Sequence, residues 1–270
     1  MGTEFRIDPK WSRTKEQIWQ DNFAGLQSAP VERVTFRPYI LYRNIALYAA
    51  AVIAILLIPF VYEKGATANL GEHTTLTLPD GSTVHLNADS RVSYKPLLWF
   101  AGRDVELTGE AFFEVEKGKS FTVQCDAGSV EVLGTKFNVY SRDEKFDVKC
   151  TSGSVKVALK GAESQAVIIG AGESVIEEVG KKLRKADIDE GLYHPMWMER
   201  KFSYNSAPLS DVLKEIERQY NISIKNNAPQ NLLYSGSFTL DTKIEELLEI
   251  VTLPFSLIVE KEGERVFIVK

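Results

Sequence analysis

A single apolar run places the strongest constraint on how this chain can fold. Residues Ile45–Tyr62 read IALYAAAVIAILLIPFVY, eighteen positions without a charged side chain. About 17–25 apolar residues in a helix cross the hydrocarbon core of a bilayer. A cleaved signal peptide has a shorter apolar stretch near the chain start, and a buried core helix usually keeps a polar face. The run therefore predicts one transmembrane helix over residues 44–62.

The charges around this run are asymmetric. Arg33, Arg37 and Arg43 precede it with no acidic residue between them. By the positive-inside rule, residues 1–43 stay in the cytoplasm as a tail, and residues 63–270 are exported. The tail carries seven basic and five acidic residues, whereas the rest of the chain carries 25 and 32. An acidic exported part argues against direct nucleic-acid binding, which favours a basic face.

The cytoplasmic tail contains a short helical pattern. Thr14 and Gln17 have the spacing of a capping box, which predicts a helix that begins directly after Thr14. Large apolar side chains would gather on this helix without a core to cover them, so we interpret it as a segment that docks into a partner's groove. A helix lying on the inner leaflet, or a disordered tail, remains an alternative. The predicted partner-binding residues are Trp11, Ile18, Trp19, Phe23 and Leu26.

Residues 70–179 alternate apolar and polar side chains in short segments, which is typical of β-strands. Residues 76–78 and 84–86 flank the sequence Pro79-Asp-Gly-Ser82, which predicts a β-hairpin. The alternation continues at residues 105–107, 113–115, 121–123 and 130–132, with turns predicted at Gly109, Gly118 and Gly128. The pattern predicts a mainly β exported domain.

Two segments of this region are near copies. Cys125–Val132 reads CDAGSVEV and Cys150–Val157 reads CTSGSVKV, 25 residues later. Recurring strand–turn units predict stacked strand repeats or a two-sheet sandwich. Stacked repeats would bring Cys125 and Cys150 within the roughly 7 Å between Cα atoms that a disulfide needs, and an exported compartment permits oxidation. Two separately buried thiols are the alternative.

The composition changes after residue 179. Residues 180–196 are charged and predict a linker, and residues 197–270 predict a small α+β domain. Its first helix should begin near Pro208, and its second at a capping box formed by Thr242 and Glu245. The final strand, Val266–Val269, is predicted as an unpaired sheet edge suited to strand addition, with an interior position as the alternative.

The sequence contains no recognisable catalytic or metal-binding motif. His73, His85 and His194 lack the spacing of metal ligands, and we interpret them as solvated surface residues. Phosphate loops, dinucleotide fingerprints and HExxH motifs are absent from the sequence. We therefore expect a protein that is not an enzyme and needs no cofactor.

Three segments carry a resemblance to a known family. Leu78–Tyr94 (LPDGSTVHLNADSRVSY), Arg103–Val115 (RDVELTGEAFFEV) and Val132–Val139 (VLGTKFNV) resemble the periplasmic domain of FecR-type anti-sigma factors. The tail Phe202–Lys270 is similar to the C-terminal module of the Bacteroidetes-type branch. That module resembles the signalling domains of secretins and TonB-dependent transporters.

The resemblance implies a single-span inner-membrane sigma regulator that controls transcription. Its periplasmic part would meet the signalling domain of a TonB-dependent outer-membrane transporter. Its cytoplasmic tail would hold or release an extracytoplasmic-function (ECF) sigma factor, and membrane lipid would surround the span. The implied fold is a periplasmic domain of strand repeats and a small α+β domain, after one transmembrane helix.

The resemblance also implies self-cleavage between Gly134 and Thr135. In that reaction, the threonine hydroxyl attacks the preceding carbonyl, and the resulting ester is then opened. The alternative is a tight turn in which the Thr135 hydroxyl only bonds the backbone. Two other functions stay open, namely a membrane-anchored envelope- or glycan-binding protein and a degenerate enzyme built on repeated β-coils.

Overall fold

The protein is described here by a computed structural model of its 270 residues. The structure describes residues 12–27, 38–178, 182–188 and 195–270, with the side chains of residues 27 and 38–44 excepted. Trp11, His194 and much of the predicted linker therefore lie outside the described residues. The chain divides into two compact units, residues 1–55 and 56–270, and each is described by itself.

The N-terminal unit contains helix α1, Lys15–Phe23, which continues as a 3-10 turn over Ala24–Gln27. The predicted capping box is confirmed. The Thr14 hydroxyl accepts a hydrogen bond from the Gln17 amide at 3.3 Å, and Gln17 Oε1 accepts one from the Thr14 amide at 3.0 Å. These contacts satisfy two of the amides that a helix start leaves without partners.

Helix α2, Pro38–Val61, contains the apolar run and has 24 residues. The described side chains of this helix begin at Ile45, and those of large apolar residues from there to Val61 are exposed. Over the residues that the structure describes, none of the helices combines the length and the apolarity that crossing a membrane demands.

The unit after residue 55 is mainly β. Its helices in the described ranges are α3 (Leu209–Tyr220) and α4 (Ile244–Thr252). Its strands there are β1 (Lys64–Ala68), β2 (Thr74–Thr77), β3 (Thr83–Leu86), β4 (Ser90–Tyr94), β5 (Arg103–Glu114), β6 (Phe121–Gln124), β7 (Gly128–Val132), β8 (Lys136–Arg142), β9 (Lys145–Ser152), β10 (Ser154–Leu159), β11 (Val167–Gly170), β12 (Glu173–Glu178), β13 (Lys182–Asp187), β14 (Lys201–Pro208), β15 (Ser223–Asn226), β16 (Leu233–Thr239), β17 (Val259–Lys261) and β18 (Val266–Val269).

Strands β1–β13 form a β-sandwich whose two faces share strand β5. The first half of β5 pairs with β4 and β6, and its second half pairs with β3 and β8. One face then has the order β1-β4-β5-β6-β7-β10-β11, and the other β2-β3-β5-β8-β9-β12-β13. Phe113, Phe121 and Phe137 are fully buried in the core. The predicted hairpin of β2 and β3 is confirmed.

Gly109 is not the turn that the sequence predicts. It lies within β5 at a φ of +101°, where that strand passes from one face of the sandwich to the other. A Cβ atom at this position would lie only 2.8 Å from the Asp89 carbonyl oxygen. The alternation before and after Gly109 therefore belongs to one bent strand and not to a hairpin.

The near-copy segments lie beside each other, but antiparallel, so stacked repeats are the wrong arrangement. In the β7–β10 pair, Val132 lies opposite Val155 and Gly128 opposite Leu159. Cys125 precedes one end of this pair and Cys150 precedes the other, so the antiparallel register separates them. Both cysteines are free thiols, and the predicted disulfide is not formed.

The sandwich is longer than the predicted domain over 70–179. Strand β1 begins at Lys64, and strand β13, within the predicted linker, pairs with β12 along its whole length. The charged residues of β13 are compatible with this place because the strand lies at an edge of the sheet, where charged side chains reach water.

The C-terminal domain consists of two strand–helix halves, as the sequence predicts. Strands β14 and β16 pair antiparallel, while β15, β18 and β17 form a second, three-stranded sheet. The predicted edge at Val266–Val269 is wrong, because β18 pairs with β15 on one side and with β17 on the other. Phe267 and Val269 of β18 are buried beneath the helices' apolar faces. Interior pairing explains the apolar character of this last strand.

Candidate functional site

Helix α1 presents an apolar surface that the described residues of its unit leave exposed. The Trp19 side chain is 56% exposed, and its ring centroid lies 4.8 Å from that of the half-exposed Phe23. Leu26 is 73% exposed, and Ile18 is half-buried. An isolated helix of nine residues has little stability in water by itself. Two neighbouring aromatic rings on such a helix are suited to anchoring it in a partner's groove.

Gly134 and Thr135 join β7 to β8 in a tightly held turn. Gly134 has a φ of +153°, and a Cβ there would lie 2.8 Å from the Lys117 Cα atom. The buried Thr135 hydroxyl donates to the Ser154 carbonyl oxygen at 3.0 Å. This contact matches the alternative in which the hydroxyl bonds the backbone. Self-cleavage at this bond stays a prediction.

The C-terminal domain packs on the outer face of the second sheet of the sandwich. Phe112 on this face belongs to the same apolar core as Trp197 of the C-terminal domain. Beside Phe112, the carboxylate of Glu110 is 8% exposed. It accepts hydrogen bonds of 2.8 Å from the side-chain amides of Asn87 and Asn138. A buried carboxylate needs such donors to offset its lost hydration.

Gln219 connects this carboxylate network to helix α3. Its Nε2 atom donates to Asn87 Oδ1 at 2.7 Å and to Glu215 Oε1 at 2.8 Å. Its Oε1 atom lies 3.0 Å from Nε2 of His73, in the loop between β1 and β2. His73 therefore contacts the C-terminal domain and is not the solvated surface residue that the sequence predicts. The His73 ring also meets Trp197 edge-on, with centroids 5.3 Å apart.

A second group of charges holds α3 to the sandwich. The Arg218 guanidinium is buried, donates to Asp143 at 2.6 Å and has its Nε atom 3.6 Å from Glu215 Oε2. Burial, and then the nearby charge of Glu110, raise the pKa of the Glu215 carboxyl. The charges of Arg142 and then of Arg218 act in the opposite direction on that pKa. The charges of Glu215 and Arg218 thus depend on each other.

A cleft of about 510 Å³ opens beside these charges, between the sandwich and the C-terminal domain. Tyr140, Asp147, Trp197, Tyr204 and Glu215 are among its lining residues. Burial raises the pKa of the Asp147 carboxyl and takes the pKa of the Tyr140 hydroxyl to about 12. Within the described ranges, no cluster of three or more His, Cys, Asp or Glu side chains is arranged to hold a metal ion. The arrangement is suited to holding two domains together.

No sequence pattern singles out Asn87, Glu110, Asn138 or Gln219 as functional residues. One signal for this interface was present, because Phe112 and Phe113 are adjacent in a strand and so point to opposite faces. Two neighbouring phenylalanines predict that both faces of that strand are covered. Phe113 lies in the sandwich core, and Phe112 lies under the C-terminal domain.

Two family models match the chain. Residues 66–156 match the FecR protein domain, and residues 201–268 match the C-terminal domain of FecR. Two crystal structures of a candidate anti-sigma factor from Parabacteroides distasonis, at 1.65 Å and 2.50 Å resolution, are similar in fold. The chain is 27% and 26% identical to them, with TM-scores of 0.67 and 0.68. Each match covers 77% of this chain and 98% of the other. No curated protein matches the chain significantly.

Proposed function

Because the chain belongs to the FecR family of anti-sigma factors, we propose that it controls an ECF-type sigma factor in response to a signal from outside the inner membrane. The observation that carries the cytoplasmic half of this proposal is the exposed Trp19–Phe23 pair on the capped helix α1. A sigma factor would bury these two rings in a groove. Burial of aromatic side chains commonly supplies most of the affinity of such a contact.

The tail helix offers a direct test of sigma-factor binding. Trp19→Ala with Phe23→Ala should weaken capture of the cognate sigma factor at least a hundredfold, because each buried aromatic anchor contributes about 2 kcal/mol or more. Binding of purified full-length protein in detergent to the sigma factor is measured by calorimetry. The matched control is Gln20→Ala on the same exposed helix.

In that experiment, Gln20→Ala should bind like the wild type. Equal sigma-factor affinity of the double variant and the wild type would contradict the proposed role of α1. A chain that lacks sigma-factor binding altogether but retains a periplasmic glycan ligand would favour the envelope-binding alternative.

We propose that α2 anchors the protein in the inner membrane as a single span. The support is the uncharged run Ile45–Tyr62 and the arginines that precede it. The eighteen positions of this run fall within the about 17–25 apolar residues that a spanning helix needs. The N-terminus would then be cytoplasmic and the C-terminus periplasmic.

This topology predicts opposite protease sensitivity for the two chain ends. A tag after Lys270 should be removed by protease once the outer membrane is permeabilised, because residues 63–270 would lie in the periplasm. A tag before Met1 should survive until the inner membrane is lysed. Immunoblots of the two tagged chains measure this difference. Survival of the C-terminal tag in permeabilised cells would show that the orientation is wrong.

On the periplasmic side, we infer that the C-terminal domain binds the signalling domain of a TonB-dependent transporter. The support is its match to the C-terminal domain of FecR. This domain also presents Ile250, Leu253 and Ile258 as exposed large apolar side chains. Such residues on one domain are suited to a protein partner. Because β18 is interior to its sheet, strand addition at Val266–Val269 is not part of this proposal.

A further inference from the structure

The loop between β1 and β2, residues 69–73, connects the two faces of the sandwich. Strand β1 pairs with β4 on the first face, and β2 pairs with β3 on the second. Strand β1 begins at Lys64, three residues after α2 ends at Val61. The loop is therefore attached to the first strand that follows the apolar helix.

This loop caps the end of helix α3 in the C-terminal domain. The last carbonyls of a helix have no partner within it. The amides of Asn221 and Ile222 both turn back to the Glu217 carbonyl. The Gly71 amide donates to the next carbonyl, that of Arg218, at 2.7 Å. The loop thus supplies a hydrogen bond to the helix end from outside the C-terminal domain.

The backbone conformation at position 71 favours glycine. Its φ of +77° lies in the left-handed region, which side chains disfavour. A Cβ would lie at ordinary contact distance, 3.4 Å from Asn221 Cβ and 3.6 Å from the Gln219 carbonyl oxygen. The loop and the helix end therefore approach each other closely.

A closed ring of side-chain contacts continues from this loop through both domains. His73 meets Gln219, Gln219 donates to Asn87, and Asn87 donates to Glu110. On the other side, Asn138 donates to Glu110 and accepts a 3.4 Å hydrogen bond from Trp197 Nε1. The edge-on contact of Trp197 with His73 closes the ring. Loop, sandwich and C-terminal domain each contribute members, so the ring is complete only when the three are together.

The interface that this ring crosses is rich in charge. Arg218 and Lys214 of α3 both pair with Asp143 of the sandwich, and Lys145 pairs with Asp211. Interfaces between domains of one chain are commonly polar, and such domains can separate because water replaces the lost polar contacts. Undocking of α3 would remove the Arg218 carbonyl and Gln219 from the loop at the same time.

We propose that the loop of residues 69–73 is a conformational relay: docking of the C-terminal domain holds Gly71 and His73 in place through Arg218 and Gln219, and the loop transmits undocking to strand β1. Docking then stabilises β1 and its pairing with β4, next to the end of α2. The coupling can be measured without any partner protein. Its use as a signal across a membrane rests on the proposed function.

The first test breaks the loop–helix contact directly. In Gly71→Ala, amide hydrogen exchange of full-length protein in detergent should become about tenfold faster in β1 and at the end of α3, because relief of the backbone strain moves the residue 71 amide away from the Arg218 carbonyl. The matched control is Gly161→Ala, at a φ of +78° with no atom within 4 Å of the added Cβ. It carries the same backbone strain in the loop between β10 and β11. The proposal would be overturned if amide exchange in β1 were unchanged in Gly71→Ala. It would also be overturned if Gly161→Ala accelerated that exchange equally.

The second test weakens docking from a distance. Asp143→Ala removes the partner of Arg218 and Lys214 from the turn between β8 and β9. Exchange in residues 64–74 should accelerate about fivefold, although Asp143 pairs with helix α3 and not with the loop. Glu144→Ala, the exposed neighbour in the same turn, is the control and should leave that exchange unchanged. If amide exchange accelerates only in α3 and in the turn between β8 and β9, the proposed relay is overturned. Sigma-factor binding is not measured in either test, so a failed relay and a failed sigma-regulator proposal are distinguished.

Discussion

Replacing Arg218 with alanine is expected to lower the free energy of unfolding of residues 56–270 by about 3–5 kcal/mol, the usual cost of removing one partner of a buried ion pair. The guanidinium is 7% exposed and lies between Glu215 and Asp143. Without it, the Glu215 carboxylate would remain buried beside Glu110, with the charge of Arg142 as its remaining compensation. Denaturant unfolding of the purified protein at pH 7.5 measures the loss.

The loss in Arg218→Ala should depend on pH in a defined direction. The pKa of Glu215 is already raised by burial and by Glu110, and removal of Arg218 raises that pKa further. A carboxyl whose pKa is raised on folding destabilises the fold as pH rises through its folded-state pKa, and the penalty disappears below its unfolded-state pKa of about 4.3. The variant should therefore recover towards wild-type stability as pH falls.

Two further variants separate charge from packing at this position. Glu215→Gln added to Arg218→Ala removes the orphaned carboxylate, so it should restore much of the lost stability and remove the pH dependence. Lys214→Ala on the same helix is the matched control. Its half-exposed ammonium lies 3.8 Å from Asp143, so its loss should cost at most about 1 kcal/mol. A similar cost for Arg218→Ala and Lys214→Ala would contradict the importance of the buried pair.

The sequence predicted local structure well where one short-range pattern decides it. The Thr14 capping box, the hairpin of β2 and β3, and the order of strands and helices in the C-terminal domain are all confirmed. Each depends on residues within about ten positions of one another. Apolar alternation along a strand follows from the local sequence alone. The capping box predicted at Thr242 and Glu245 is wrong, because α4 begins after Lys243 with no side-chain hydrogen bond at its start.

The other errors in the sequence-based predictions concern contacts between segments that are distant in the chain. The repeated Gly-Ser-Val segments correctly indicated neighbouring strands, but a copy of a sequence does not specify whether it pairs parallel or antiparallel. The antiparallel register of β7 and β10 removed the predicted disulfide. In the same way, the alternation in Val266–Val269 fits an edge or an interior strand. Pairing with β15 on one side and β17 on the other decides between them, and both partners are set by the tertiary fold.

The interdomain network could not be predicted because its members are ordinary polar residues far apart in the chain. Asn87, Glu110, Asn138 and Gln219 each occupy positions that would be solvated on an isolated sandwich or helix. They become buried only because α3 covers the outer face of the second sheet. Asn and Gln side chains then provide the donors and acceptors that a buried carboxylate requires.

Gly109 is a position where a single methyl group should disturb both faces of the sandwich, because strand β5 belongs to both. Gly109→Ala is expected to cost about 3 kcal/mol or more, since the left-handed conformation costs roughly 1–2 kcal/mol and overpacking a further 1–3 kcal/mol. The added Cβ would lie 2.8 Å from the Asp89 carbonyl oxygen and 2.5 Å from Ser90 Oγ. Relieving this collision requires β4 to move away from β5. Strand β5 is the strand that the two faces share.

Gly161→Ala separates backbone strain from this collision. At its φ of +78° the alanine has open space, so only the conformational cost of about 1–2 kcal/mol should remain. Chemical unfolding of both variants gives the difference directly. Because β5 pairs with β4 on one face and with β3 and β8 on the other, Gly109→Ala should also accelerate amide exchange on both faces, whereas Gly161→Ala should affect only its own loop. Equal losses of stability in the two variants would mean that β4 and β5 separate without cost, and that the bend at Gly109 does not hold the sandwich together.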